Sequence, residues 1–195
     1  MGRVLAHAEG QRPARRHQWH RPLGGTLGGT AVSHPVAEER PAAHGDALNL
    51  VRAEIAEAAG PEAAAQRVVE LLHDRFPHYD WVGIYWVSSD GDDLVLGPWT
   101  GPEATEHTRI PIGTGICGAA AASGQTEIVP DVDADPRYLA CFASTKSEIV
   151  VPIFEASEVI GEIDIDGSDL DAFDATDARF LEEVTALLAP LRPRT

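Results

Sequence analysis

The sequence predicts an α+β domain, a mostly antiparallel central sheet with helices packed on one face, over residues 46–192. Three observations carry this. Apolar residues recur at helical spacing at both ends of that span, strand-like runs fill its middle, and short turns join neighbouring runs.

Taken in order, Leu48, Val51 and Ile55 make the first helical stripe. Gly60-Pro61 ends that helix and opens another, with proline at a position where its missing N–H is harmless. Ala65, Val68, Val69, Leu72 and Phe76 form the second stripe. Strands follow at 81–87, 93–99 and 108–112, and Ser89-Asp-Gly-Asp92 is the expected hairpin turn. A short helix of small residues is expected over 118–123, then a strand at 126–129. Two further strands, 148–154 and 159–166, are linked tightly. Asp174 is placed to cap a last helix whose Phe180, Leu181, Val184, Leu187, Leu188 and Leu191 share one face.

Residues 1–45 differ in kind. They are rich in Arg, His, Gly and Pro without usable periodicity and read as a disordered tail, with the boundary at Asp46. The histidines at 7, 17, 20, 34 and 44 have no metal-ligand spacing. Net charge is −16, and six of the arginines lie within the first forty residues, so the folded part is more acidic still. Such a surface repels nucleic acid and anionic lipid, which excludes both as expected partners. No apolar run approaches the roughly 18 residues of a membrane span, so a cytoplasmic location is expected. In that compartment the only two cysteines, Cys117 and Cys141, are expected to be catalytic or redox-active rather than a permanent bridge.

Alternation along the strands says which groups meet. Trp81, Gly83 and Tyr85 share one face of their strand, and Val82, Ile84 and Trp86 share the other. Likewise Ile163 and Ile165 oppose Glu162, Asp164 and Asp166. The isoleucines belong to the helix-covered core. That leaves a row of carboxylates which is either a solvated outer face or the wall of a pocket. Aspartate is a poor strand former, and aromatics facing carboxylates would suit a small cationic ligand such as an amino acid's ammonium group. Gly113-Thr-Gly-Ile-Cys-Gly118 lacks the Lys-Ser/Thr of a P-loop, so nucleotide hydrolysis is rejected. Two cysteines without paired histidines exclude a zinc site of familiar spacing, and no metal is expected.

Trp81-Val-Gly-Ile-Tyr85, Leu94-Val-Leu-Gly-Pro98, Arg109-Ile-Pro-Ile-Gly-Thr-Gly-Ile-Cys-Gly118, Val129-Pro-Asp-Val132, Leu139-Ala-Cys141, Ser147-Glu-Ile-Val-Val-Pro152 and Ile163-Asp-Ile-Asp166 together resemble the free methionine-(R)-sulfoxide reductases, single-domain enzymes of the GAF fold. The resemblance runs from about residue 46 to 192 with the motifs in family order. It implies a GAF-like domain that reduces free methionine-(R)-sulfoxide to methionine. Cys141 would be the nucleophile that becomes a sulfenic acid. Cys117 would form a disulfide with it, reopened by thioredoxin using NADPH and thioredoxin reductase, with no bound cofactor. Trp81 and Tyr85 would hold the methyl-sulfur end, and Glu148, Asp164 and Asp166 the ammonium or the sulfoxide oxygen. A homodimer is implied too. The chain departs from the family at His107, where many members carry a third, resolving cysteine, so this is a two-cysteine variant. His107 reads as a surface residue rather than a base for Cys141. The alternative function is a GAF module that senses a small molecule or redox state without turnover.

Overall fold

The computed structural model describes residues 40–193; the tail expected over the first 45 residues lies outside the described residues up to position 39. The first helix, α1 (Arg40–Glu57), begins ahead of the boundary expected at Asp46. The cause is His44, which packs into the core on Phe180, with ring centroids 4.5 Å apart and nearly parallel. A further helix, α2 (Pro61–Arg75), starts on the expected proline.

Six strands follow: β1 (Trp81–Val87), β2 (Asp93–Thr100), β3 (Arg109–Pro111), β4 (Glu127–Val129), β5 (Ser147–Glu155) and β6 (Glu158–Gly167). A helix α3 (Gly115–Ser123) lies between β3 and β4. The chain closes with α4 (Ala175–Leu188), whose N-terminus is held by a capping box between Asp174 and Asp177. The sheet order is β3-β2-β1-β6-β5-β4, and every neighbouring pair is antiparallel.

The alternation predicted for β1 and β6 sorts two cores. Val82, Ile84, Ile149, Val151, Ile163 and Ile165 pack with Val68, Leu72, Leu181 and Val184 beneath α1, α2 and α4. On the opposite face Trp81, Tyr85 and Val150 pack with Ile116, Cys117, Ala120 and Phe142, so the small α3 and the loops around it cover that side. Burying both faces explains why β1 and β6 are almost wholly inaccessible rather than half-solvated.

The helix α3 begins at Gly115 rather than Gly118, which places Cys117 in its first turn. Gly115 has φ +72, and a side chain there would meet Leu139 at 2.9 Å, so glycine is what lets the Leu139–Cys141 loop lie against the start of α3.

Candidate active site

Register brings the acidic residues together. Asp166 pairs with Trp81, Asp164 with Gly83 and Glu162 with Tyr85, while Glu148 on β5 sits opposite Asp166. Side chains at these positions share the face away from the long helices. Glu148 is 5% exposed, Glu162 0%, Asp164 3% and Asp166 4%, which settles the open question against a solvated face. Among the described residues no lysine or arginine forms an ion pair with any of the four.

Carboxyl groups without a counter-charge in a dry site favour the protonated form. Burial, reinforced by Asp164, Asp166 and Glu162, pushes Glu148 well above the usual carboxylate range. Burial and then Asp164 do the same to Glu162, and burial and Asp164 raise Asp166. Asp164 is raised by burial, a rise the nearby Cys117 thiol limits, and is pushed up to about 7. Both Glu162 oxygens and Asp164 Oδ1 carry no hydrogen bond. Glu162 was visible in the carboxylate row but not singled out; its full burial is a property of the other strands and of α3, not of its own strand.

Aromatic rings form the adjoining wall. Trp81 stacks on Trp99 at 6.0 Å and meets Phe142 at 5.8 Å. From the sequence Trp99 reads as an ordinary strand residue. It faces the site because the β1–β2 register shifts between Gly83 and Tyr85, so that Trp99 and Leu96 both turn to this side. The indole of Trp81 lies across Gly83, where a Cβ would come within 2.2 Å of the ring.

The two cysteines flank this floor, both as free thiols. Cys117 is buried and its thiol donates to Glu148 Oε1 at 3.7 Å. Burial, then Asp164, Glu162 and Glu148, pushes it well above the ordinary thiol value, outweighing its place at a helix N-terminus. Cys117, Glu148 and Asp164 each bring one donor atom within 4.8 Å of the others, a spacing that could hold a cation. Cys141 is half-buried in the irregular stretch before β5.

The structure corrects the reading of His107. It is half-buried, and its Nδ1 lies 3.4 Å from Cys141 Sγ. Its backbone is pinned from both sides: Tyr85 Oη–H donates to His107 O at 2.9 Å, and His107 N–H donates to Thr105 Oγ1 at 3.0 Å. The contact joins two irregular segments, and no periodicity in either could have announced it. The site is nearly closed. The crevice lined by Asp80, Trp81, Pro102, Phe142, Thr145 and Asp166 has a volume of about 10 Å³, room for one water molecule at most.

A six-stranded antiparallel sheet with its long helices on one face and a small site under loops on the other is the architecture of a GAF domain, and the GAF domain profile matches residues 60–190. The Escherichia coli free methionine-R-sulfoxide reductase is 37% identical over 118 residues, which is 60% of this chain and 69% of that protein. The Saccharomyces cerevisiae free methionine-R-sulfoxide reductase is 43% identical, over 56% of this chain and 61% of its own length. The solved structure of the Neisseria meningitidis free methionine-R-sulfoxide reductase in complex with its substrate superimposes with a TM-score of 0.73 at 39% identity, covering 81% of this chain and 93% of the other. The chain belongs to the free methionine-(R)-sulfoxide reductase family of GAF-fold enzymes. No helix among the described residues is long and apolar enough to cross a membrane.

Proposed function

We propose that this protein reduces free methionine-(R)-sulfoxide to methionine, with Cys141 as nucleophile and Cys117 as resolving thiol. The observation that carries the reading is the set of four buried carboxyl groups, without a lysine or arginine counter-charge among the described residues, beside an aromatic wall and two free thiols. An ammonium group offers three donors, and the unpartnered oxygens of Glu162 and Asp164 offer the acceptors it needs. Trp81, Tyr85, Trp99 and Phe142 suit the methyl-sulfur end. A protonated Glu148 or Asp166 suits the sulfoxide oxygen, which leaves sulfur only when protonated.

The Cys141 thiolate attacks the sulfoxide sulfur. The oxygen passes to Cys141 and takes one proton, so the cysteine is oxidised by two electrons to a sulfenic acid and methionine leaves reduced. Cys117 then attacks the sulfenic sulfur, releasing water and forming a disulfide. A thioredoxin-type dithiol reopens it and becomes a disulfide in turn, recharged by NADPH through its reductase. Movement of the 133–144 loop, which carries Cys141, would admit substrate and let the two thiols meet. We place the enzyme in the cytoplasm, as a homodimer.

Purified protein supplied with thioredoxin, thioredoxin reductase and NADPH should consume NADPH on addition of free methionine-(R)-sulfoxide and not of the (S) epimer. Cys141→Ser should abolish consumption, and Cys117→Ser should allow one methionine per chain before stalling. Ligand binding with no turnover in the wild type would instead establish the sensor alternative.

A further inference from the structure

We propose that His107 is the base that takes the Cys141 thiol proton and then stands beside the sulfur as its counter-charge. The inference deepens the reductase reading and rests on it for the identity of the reacting sulfur.

The surroundings of Cys141 explain why such a group is required. Burial comes first, and Asp164, Asp166 and Glu148 add to it, so that the thiol is pushed far above its ordinary range. Facing it are Asp164 and Asp166 from β6, Glu148 from β5, Cys117 from α3, Tyr85 from β1 and Tyr138 from its own loop. Each of these is neutral or negative. A nucleophilic cysteine nonetheless has to react as thiolate. The Thr105 hydroxyl, which hydrogen-bonds the sulfur, helps but carries no charge. His107 Nδ1, at 3.4 Å from Sγ, is the basic group in contact with Cys141 among the described residues.

The position is built rather than incidental. Tyr85 and Thr105 fix the His107 backbone from opposite sides, and Tyr85 belongs to the strand that forms the site's floor. Hydrogen bonds through the main chain leave the imidazole itself free to pair with sulfur. The proton moves from Cys141 Sγ to His107 Nδ1, giving a thiolate–imidazolium pair. The sulfoxide oxygen takes one proton from the Glu148 or Asp166 carboxyl as it passes to Cys141, and the imidazolium proton returns to that carboxylate, so charge and atoms balance. Cys117 is then left as the chain's own partner for the oxidised sulfur.

The test reads Cys141 alone, without substrate, in a Cys117→Ser background. Iodoacetamide alkylation rate and ultraviolet thiolate absorbance are followed against pH. The parent should form thiolate at lower pH than the same protein without the imidazole. Adding His107→Asn should move the half-point upward and slow alkylation at pH 7 by about tenfold or more, with an unchanged circular dichroism spectrum. An unshifted curve in the folded variant overturns the proposal. So does a parent whose Cys141 shows no thiolate near neutral pH, a result that holds even if the variant does not fold. Because no sulfoxide is present, failure here is separate from failure of the reductase assay.

Discussion

Glu148 and Asp166 stand directly opposite each other across the β5–β6 ladder, both buried and neither ion-paired among the described residues. Directly opposed like charges destabilise a sheet, and burial weakens the screening between these two. Burial drives both upward, which favours the protonated form in this pair. Glu148→Gln and Asp166→Asn should therefore each raise the thermal midpoint at pH 8. Loss of the acid should lower kcat by about 10²-fold or more in at least one of them. Steady-state rates with both variants unchanged would remove the acid role from this pair.

Asp164 gives the sign of the pH dependence. Its carboxyl rises from 3.8 to about 7 in the folded chain, so the folded state binds this proton more tightly than the unfolded state does. The corresponding stability is fully present below pH 4 or so and is lost as pH rises through about 7. Asp164→Asn cannot titrate. Its thermal midpoint should match the wild type near pH 4 and exceed it at pH 8, by on the order of 5–10 °C. A wild-type midpoint that climbs from pH 5 to 8, with the variant tracking it, would contradict the assignment.

Gly83 holds the aromatic floor flat. A methyl group at this position would overlap the Trp81 ring, whose nearest atoms would lie 2.2 and 2.4 Å away. In Gly83→Ala the indole must leave its place against Trp99, at a cost of about 1–3 kcal/mol. The expected result is a KM raised by about tenfold, a smaller change in kcat and an altered tryptophan emission spectrum. Normal KM with unchanged emission would show that the ring is not part of the substrate wall.

The order of elements and the two faces of β1 and β6 were legible because a strand's period of two survives in any context. Trp81 beside Tyr85 and Asp164 beside Asp166 followed from that period alone. What escaped depended on contacts between distant segments. The short helix reads as starting at Gly118, whereas α3 already begins at Gly115. His107 reads as surface, and only Tyr85 and Thr105 carry it to Cys141. Trp99 reads as an ordinary strand residue until the β1–β2 register shift turns it inward. His44 reads as tail because its partner, Asp177, lies at the other end of the fold.

That last pair yields a prediction far from the active site. His44 Nε2 lies 3.3 Å from Asp177 Oδ1, His78 Nε2 lies 3.6 Å from it, and Tyr79 Oη–H donates to it at 3.1 Å. Burial alone would raise Asp177, but the His44 and His78 imidazoles beside it and the Asp174 N–H hold it far below its ordinary 3.8. A depressed carboxyl contributes stability that is present above its unfolded value and fades as pH falls below 3.8. Asp177 also closes the cap of α4, while His44 stacks on Phe180 of that helix, so one carboxylate ties α1 and the loop before β1 to α4. Asp177→Asn should destabilise the protein at pH 7 by about 3–5 kcal/mol, as expected for breaking a buried charged network. The deficit should shrink on acidification. In a urea-unfolding cycle, His44→Ala and Asp177→Asn should couple by about 1 kcal/mol or more. Additive effects would mean that α1 is held by apolar packing rather than by this ion pair.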